Sequence, residues 1–207
     1  MSKFLVLAAN GKAGQKIVEE LLSRNLDVTV VVRKENKTQA KKAILKDLFD
    51  LTSNDLKDFD IVISAFGAWT DETFSKHRTL LEHLADILAP QGRLIVVGGA
   101  GSLYLDANKT VQLKDGKGFP DAFKPLANAM GEALESLRSL DVDWTYISPA
   151  ADFVANGEKK GKYLISGEIF TTDENGVSKI SYADYAMALV DVAVSDDYHR
   201  ERISIRW

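Results

Sequence analysis

The sequence contains no cysteine among its 207 residues. This absence excludes disulfide bonds, thiolate nucleophiles and metal sites with sulfur ligands. No apolar run approaches the ~20 residues that a membrane-spanning helix needs, and the N-terminus lacks the apolar segment and cleavage site of a signal peptide. We therefore expect a cytoplasmic protein without a membrane partner.

The chain also lacks an excess of positive charge, because its 26 lysine and arginine residues are outnumbered by 30 aspartate and glutamate residues, for a formal net charge of -4. A chain built mainly to hold nucleic acid would carry an excess of lysine and arginine, so we expect no nucleic-acid partner. No grouping of His, Asp and Glu has the spacing of metal ligands, and we expect no metal. A Gly-x-Ser-x-Gly segment, which would indicate a serine hydrolase, is absent as well.

Apolar runs of strand length alternate with helical patterns along the whole chain. The strand-like runs lie at 4–7, 28–32, 61–65, 94–97 and 144–147, and the helical patterns lie near 14–24, 71–89 and 121–139, with shorter ones near 36–43 and 53–57. Continuous apolar strands are typical of a parallel sheet that is covered on both faces. The pattern predicts an α/β fold, a doubly wound and mostly parallel Rossmann-type sheet. We expect one domain, 1–207, with about 150–207 forming a small C-terminal cap on the substrate side.

Two features of the C-terminal part add to this prediction. Ser181 is suited to cap a last helix, with Asp184 three residues later. Residues 202–206 alternate between polar and apolar side chains, as in a half-exposed strand. Such a strand could pair with a second copy of the chain, so a homodimer is one expectation.

A turn of small residues follows the first strand, and a helical pattern begins directly after it. This turn directs helix N–H groups and the positive end of the helix dipole at one point, which suits a phosphate. Small side chains also let the backbone approach a pyrophosphate closely. We expect a dinucleotide here, although a tight turn without a ligand is the alternative. The predicted binding residues are Ala9, Asn10, Gly11, Lys12, Ala13 and Gly14.

The glycine spacing of this turn is GxxGxxG with its first glycine replaced, because the three positions are Ala8, Gly11 and Gly14. Alanine at the first position has almost no conformational penalty if its φ is negative. We therefore predict a negative φ at Ala8, with Asn10 or Gly11 taking any left-handed conformation.

The end of the second strand indicates which nicotinamide nucleotide is bound. Enzymes that prefer NAD usually place an acid there to hold the ribose 2′-hydroxyl, whereas this chain has Arg33 and Lys34. A guanidinium suits a 2′-phosphate, so we expect NADP(H), with NAD(H) as the alternative. An ordinary basic strand end, with Glu35 beside it, would explain the same residues. Asp47 and Leu48 are expected near the adenine, although an exposed loop acid also explains Asp47.

Three loops of small residues follow the fourth, fifth and sixth strands. In an open α/β sheet, ligands bind beyond the carboxyl ends of the strands, so these loops are expected to meet at one edge. They would leave room for a ribose, a nicotinamide and a flat substrate, although each could be only a tight turn. The residues expected to contact the cofactor are Ala65, Phe66, Gly67, Gly98, Gly99, Ser148, Pro149 and Ala150.

The chain lacks the catalytic pair of the common short-chain dehydrogenases, a tyrosine followed four residues later by a lysine. That lysine lowers the pKa of the tyrosine so that it passes a proton at neutral pH. No tyrosine of this chain has lysine at that spacing, and the helix expected to carry the pair has no tyrosine. We do not expect alcohol–ketone interconversion by that mechanism.

Five further segments carry a more specific resemblance: 63–67, 96–103, 144–150, 161–163 and 180–186. With them, nearly the whole chain resembles the atypical short-chain dehydrogenases of the NAD(P)-binding NmrA-like group. This branch includes YwnB-like bacterial proteins and is related to biliverdin-IXβ/flavin reductase. The resemblance implies that the Tyr/Lys pair is dispensable and that hydride passes directly from NADPH to a stacked flavin or tetrapyrrole. Such a transfer needs proximity and a dry, flat slot more than a dedicated acid.

Candidate residues for the reacting end are aromatic or carry a hydroxyl or imidazole. Trp69 and Phe153 could stack on a planar substrate, and core packing is the alternative for both. Ser102 and Tyr104 could orient the acceptor, and His77 could donate a proton if it is not simply packed in the interior.

Two classes of function remain. One is an NAD(P)H-dependent oxidoreductase that transfers hydride to a flavin, a quinone or a similar conjugated acceptor. The other is a redox sensor or regulator that binds NADP(H) without turnover. An epimerase or dehydratase is less favoured, because those enzymes also tend to need the Tyr/Lys pair.

Overall fold

A mostly parallel sheet forms the centre of the computed structural model, which describes residues 2–207. Eight strands follow one another across this sheet in the order β3-β2-β1-β4-β5-β6-β10-β8, and β7 pairs with β9 in a separate two-stranded sheet. The strands are β1 Lys3–Leu7, β2 Asp27–Val32, β3 Lys42–Leu45, β4 Ile61–Ser64, β5 Arg93–Val97, β6 Asp143–Ser148, β7 Asp152–Val154, β8 Leu164–Ser166, β9 Lys179–Ser181 and β10 Glu201–Arg206.

Helices cover both faces of the sheet. They are α1 Lys12–Ser23, α2 Ser53–Leu56, α3 Lys76–Ile87, α4 Lys124–Ser139 and α5 Tyr182–Val194. Successive side chains of β1 point to opposite faces, so Phe4 and Val6 join the core under α1 and α5, whereas Leu5 and Leu7 join the core under α3 and α4. This two-sided burial is why the strand is a continuous apolar run. No helix within residues 2–207 is long and apolar enough to cross a membrane.

The strand order reverses at β1, which has β2 on one side and β4 on the other, both parallel to it. Ligands of open α/β sheets bind at such a reversal, beyond the carboxyl ends of the strands. The register places Leu7 beside Val31 and Ser64, and Ala65 N donates a hydrogen bond of 3.2 Å to the carbonyl of Leu7. The turn after β1 and the loop after β4 therefore begin next to each other.

The predicted α/β fold and its five strand-like runs are confirmed, but the short helix expected near 36–43 is wrong. This segment is a loop that leads into β3. Side chains bind the main chain here: Thr38 N donates to Asn36 Oδ1 at 2.9 Å, and Ala40 N donates to Thr38 Oγ1 at 3.2 Å. Such local bonds compete with a helix. The pattern at 71–89 is also shorter than expected, because α3 begins at Lys76 after a separate 3₁₀ turn.

The C-terminal part differs from a simple cap. The cap of α5 is confirmed, since Ser181 Oγ accepts from Asp184 N at 3.1 Å. However, β10 lies inside the main sheet, parallel to β6 and antiparallel to β8, and Ile203 and Ile205 are buried. The expectation of a half-exposed strand that pairs with a second copy is therefore wrong. Of this segment, β7 and β9 lie outside the main sheet, whereas β8 and β10 belong to it.

Candidate functional site

The turn after β1 ends at Gly11, which precedes α1 with an extended backbone at φ -67°. Gly11 has no side chain to cap the helix, and the first turn of α1 contains no acid. The first N–H groups of a helix lack partners within the helix, and they form the positive end of its dipole. The N–H groups at positions 12–14 are therefore suited to an anion.

Ala8 adopts the left-handed conformation, with φ 54°. The prediction of a negative φ at this position, with the left-handed residue at Asn10 or Gly11, is wrong. The chain reverses at Ala8 so that Gly11 N donates to the Ala8 carbonyl at 3.0 Å, which closes the turn. An alanine in this conformation costs about 1 kcal/mol or more. The chain thus tolerates backbone strain at Ala8, the first position of the GxxGxxG spacing, where a glycine would adopt this conformation without strain.

Gly14 allows α1 to cross the end of β1 at close range. A Cβ atom at this position would lie 2.8 Å from the Ala8 carbonyl oxygen and 2.8 Å from Ala9 Cα. Both atoms belong to the main chain, so no side-chain rotation relieves the contact. A glycine is required here for packing, which matches its expected place in a dinucleotide-binding turn.

Asn10 does not point its amide at the open turn. Its Nδ2 donates to the Glu35 carbonyl at 2.7 Å, and its Oδ1 accepts from Lys37 N at 2.9 Å. Its own carbonyl accepts from Gln15 Nε2 at 2.8 Å. Asn10 thereby connects the turn after β1 to the loop after β2.

Arg33 and Lys34 follow β2 directly, and both are exposed. Among the described residues, Lys42 pairs with Asp27 and Lys46 with Asp55, whereas no ion pair involves Arg33 or Lys34. Glu35 accepts from Asn10 through its carbonyl. Both cations are therefore available to a ligand at the edge of the sheet.

Asp47 and Leu48, predicted near the adenine, begin a 3₁₀ turn after β3. The Asp47 carboxylate caps this turn by accepting from Phe49 N at 3.0 Å, and Leu48 is buried in the core. The structure thus gives both residues a local structural role, and their contact with an adenine stays a prediction.

The buried side chain of His77 holds the loop after β4 in place through contacts with Ala68 and Phe66. Its Nε2 lies 3.1 Å from the Ala68 carbonyl oxygen and 3.3 Å from Ala68 N, and its ring meets that of Phe66 edge-on at 5.5 Å. Burial lowers the pKa of His77, so the ring is neutral at physiological pH. Its predicted role as a proton donor stays a prediction, with only 7% of the residue exposed.

Trp69 is the most exposed large apolar side chain of the described residues, at 74%. Core packing, the alternative considered for it, is therefore wrong. A Cβ atom at Gly67 would lie 3.1 Å from Trp69 Nε1, so the indole lies against the backbone of the predicted cofactor loop. It presents an aromatic surface at this edge of the sheet.

The loop after β5 rests on the ring of Tyr146. A Cβ atom at Gly98 would lie 2.1 Å from Tyr146 Cε1, which requires glycine there. The Tyr146 hydroxyl accepts from Gly99 N at 3.1 Å and donates to the Met130 carbonyl at 3.3 Å, while Ser148 Oγ donates to the Gly99 carbonyl at 2.8 Å. Burial raises the pKa of Tyr146 to about 12, so this hydroxyl holds the loop and stays protonated.

Ser102 and Tyr104 connect the same loop to β10 and to the segment after β8. Ser102, 5% exposed, accepts from Arg202 through its Oγ and its carbonyl, each at 3.1 Å. Arg202 is itself paired with Glu168, whose pKa is lowered by Arg202 although burial opposes this. Tyr104 N donates to the Glu168 carbonyl at 2.9 Å, and its own carbonyl accepts from Phe170 N. Catalytic roles for Ser102 and Tyr104 stay predictions.

The segment after β6 carries Pro149 and Ala150 towards β7, where Phe153 stacks on Tyr182 with ring centroids 3.9 Å apart. The ring centroids of Phe153 and Tyr185 are 4.8 Å apart. Phe153 packs against the core, which agrees with core packing, the alternative to substrate stacking that was considered for it. The Tyr182 hydroxyl has no hydrogen bond to any described residue, and burial raises its pKa. Tyr182 was not among the candidate site residues predicted from the sequence, although it directly follows the helix cap Ser181.

The topology brings the turn after β1 together with the loops after β2 and β4, as the contacts of Asn10 and Ala65 demonstrate. The loops after β5 and β6 join each other through Ser148. Ser102 bonds to Arg202 of β10, and Tyr104 pairs with Ile169 in the segment after β8. Among residues 2–207, no group of three or more His, Asp or Glu side chains is arranged to hold a metal ion.

Comparison with known proteins agrees with this geometry. Residues 8–195 match the model of a family described as NAD(P)H-binding. The chain is 40% identical over 209 residues to YwnB, an uncharacterized protein of Bacillus subtilis (strain 168), covering 98% of this chain and 97% of YwnB.

Two solved structures resemble this one over nearly their full length. SP1627, a proposed NADH-flavin reductase from Streptococcus pneumoniae TIGR4, has 52% identity and a TM-score of 0.97, with 100% of this chain and 99% of that chain covered. A proposed epimerase from Bacteroides thetaiotaomicron has 31% identity and a TM-score of 0.86, with coverage of 100% and 98%. The chain therefore belongs to the NAD(P)H-binding family.

Proposed function

We propose that the protein is an NAD(P)H-dependent oxidoreductase that reduces a planar, conjugated acceptor such as a flavin or a quinone. The observation that carries this proposal is the turn after β1, in which an uncapped helix start meets a glycine that cannot bear a side chain. The family assignment supports the nucleotide, and the name of the Streptococcus pneumoniae relative supports the class of acceptor.

The residues of this edge fit a nicotinamide dinucleotide. The N–H groups at positions 12–14 would receive the pyrophosphate, and the loops after β4, β5 and β6 would line the nicotinamide ribose. Arg33 and Lys34 would favour NADP(H), because a 2′-phosphate accepts paired hydrogen bonds from a guanidinium. NAD(H) stays the alternative, since the name of the Streptococcus pneumoniae relative mentions NADH.

When bound, the reduced nicotinamide supplies the hydride. The two buried titratable groups under the predicted loops contribute position rather than proton transfer, because both are neutral and already bonded: His77 to Ala68, and Tyr146 to Gly99 and Met130. Trp69 would provide the surface on which an acceptor ring stacks. Phe153 stays a proposed slot residue, together with Tyr182, on which its ring stacks.

A redox sensor is the second candidate function. The strained Ala8 and the internal bonding of His77 and Tyr146 favour it, because a sensor needs binding without turnover. A homodimer and a cytoplasmic location stay proposals. If a dimer forms through the main sheet, its outer strands β3 and β8 are the available edges.

Nucleotide oxidation tests these two functions directly. NADPH and NADH are mixed with FMN, FAD or a quinone, and the loss of absorbance of the reduced nicotinamide is followed. We expect turnover, with a raised acceptor KM in Trp69→Ala and recovery in Trp69→Phe, which keeps a stacking ring. Binding of NADPH in a calorimeter without turnover on any acceptor would favour the sensor, whereas no binding of either nucleotide would refute both functions.

A further inference from the structure

The side chain of Asn10 joins two segments that are 25 residues apart in sequence. Its Nδ2 donates to the Glu35 carbonyl at 2.7 Å and its Oδ1 accepts from Lys37 N at 2.9 Å. A carbonyl only accepts and a main-chain N–H only donates, so one amide orientation satisfies both bonds. An aspartate could keep only the bond to Lys37, and an alanine could keep neither.

The loop at 33–41 is braced internally as well. Asn36 Nδ2 donates to the Ala40 carbonyl at 2.8 Å, while Asn36 Oδ1 accepts from Thr38 N at 2.9 Å and from Thr38 Oγ1 at 2.8 Å. These bonds close the loop on itself, and Asn10 then attaches it to the turn after β1. The loop therefore has a defined position relative to that turn.

This loop is strongly basic. Four of the nine residues at 33–41 are lysine or arginine, and Glu35 is its one acid. Glu35 follows Arg33 and Lys34, and its carbonyl is one of the two groups held by Asn10. The position of Asn10 thus determines where the charges at the end of β2 lie relative to the N–H groups of α1.

We propose that Asn10 is a positioning residue for nucleotide selectivity, which docks the basic loop 33–41 onto the turn after β1. Since this role rests on the proposed function, Asn10 acts through Arg33 and Lys34 rather than on the pyrophosphate. Asn10 holds Arg33 and Lys34 at a fixed distance from the N–H groups at the start of α1. This distance would match the one between the 2′-phosphate and the pyrophosphate of a bound NADPH. The same contacts would matter little to NADH, which carries no phosphate at that end.

The test measures the ratio of the NADH and NADPH dissociation constants in Asn10→Ala, with Gln15→Ala as the matched control. Gln15 bonds to the carbonyl of Asn10 but does not touch the loop. Loss of two hydrogen bonds of ordinary strength should lower the preference for NADPH by about three- to tenfold. Gln15→Ala should leave the ratio unchanged. Adenosine 2′,5′-bisphosphate and 5′-AMP serve as probes of the adenosine end alone and should repeat the pattern.

Asn36→Ala provides an independent arm, because it disturbs the loop without touching the turn. We expect it to lower the same ratio, and thermal melting confirms that both variants fold. If Arg33→Ala abolishes the NADPH preference while Asn10→Ala and Asn36→Ala keep it, the positioning role of Asn10 is refuted and the proposed function stands. If the unaltered protein binds neither nucleotide, the proposed function itself fails, and the role of Asn10 fails with it.

Discussion

Gly14→Ala should separate the packing role of this glycine from its effect on helix stability. The added Cβ would lie 2.8 Å from both the Ala8 carbonyl oxygen and Ala9 Cα, and 2.9 Å from the Ala9 carbonyl oxygen. Favourable contacts between carbon atoms are about 3.5–4.0 Å. The start of α1 must therefore move away from β1 by several tenths of an ångström and take its N–H groups with it.

The magnitude follows from comparison with Gly131→Ala in the interior of α4. There the added Cβ meets only Ser102 Cβ, at an ordinary 3.6 Å. Replacing glycine by alanine inside a helix stabilises by about 0.5–1 kcal/mol, and this gain applies to both substitutions. Overpacking adds a cost of about 1–3 kcal/mol at Gly14 alone. The free energies of unfolding of the two variants should differ by this second amount.

Urea denaturation measures that difference, provided that the m-value stays constant. Calorimetry with NADPH and NADH should show that Gly14→Ala weakens both by a similar factor, because the displaced N–H groups belong to the proposed site of the pyrophosphate, which the two nucleotides share. Equal stabilisation in Gly14→Ala and Gly131→Ala, with unchanged nucleotide affinity in both, would contradict the close approach of α1 to β1.

Two further predictions concern buried groups at the loops after β4 and β5. Tyr146→Phe removes a hydroxyl that bonds to Gly99 and Met130, so it should lower the free energy of unfolding by about 1–2 kcal/mol. Tyr182→Phe, the control, should leave the free energy of unfolding unchanged. Equal effects of the two substitutions in urea denaturation would refute this difference. His77 has a lowered pKa in the folded protein, so the unfolded chain binds more protons as pH falls below about 6.5 and stability decreases there. His77→Phe should flatten this decrease, and an unchanged slope would show that another group causes it.

The central strands could be predicted because each is buried on both faces and therefore leaves a continuous apolar run. The short strands β7, β8 and β9, of three residues each, left no such pattern. They exist because distant segments pair with them, as Ser204 of β10 does with Ser166 of β8. The segment near 36–43 was expected to be a helix because the bonds of Asn36 to Thr38 and Ala40 are not visible as periodicity.

The candidate site could be predicted where a general rule of α/β sheets applies. Glycine spacing identified the turn after β1, and the carboxyl-end rule identified the loops that join it. Conformation and side-chain bonding could not be predicted, because they depend on long-range partners. Ser102 meets Arg202, which is 100 residues away, and Ala8 takes a left-handed conformation that its own side chain does not favour.

The bonding of the buried polar groups narrows the chemistry that this edge of the sheet supports. His77 and Tyr146 are both neutral at physiological pH, because burial lowers the pKa of the first and raises the pKa of the second. General acid–base catalysis is most effective when the pKa of the group lies near the working pH. The pKa of Tyr146 lies far above that pH, and burial moves the pKa of His77 away from it. A reaction that depends on stacking and proximity has no such requirement. Of the reactions considered, the proposed direct hydride transfer onto an acceptor held against Trp69 therefore fits these residues best, because it needs no side chain that donates or accepts a proton.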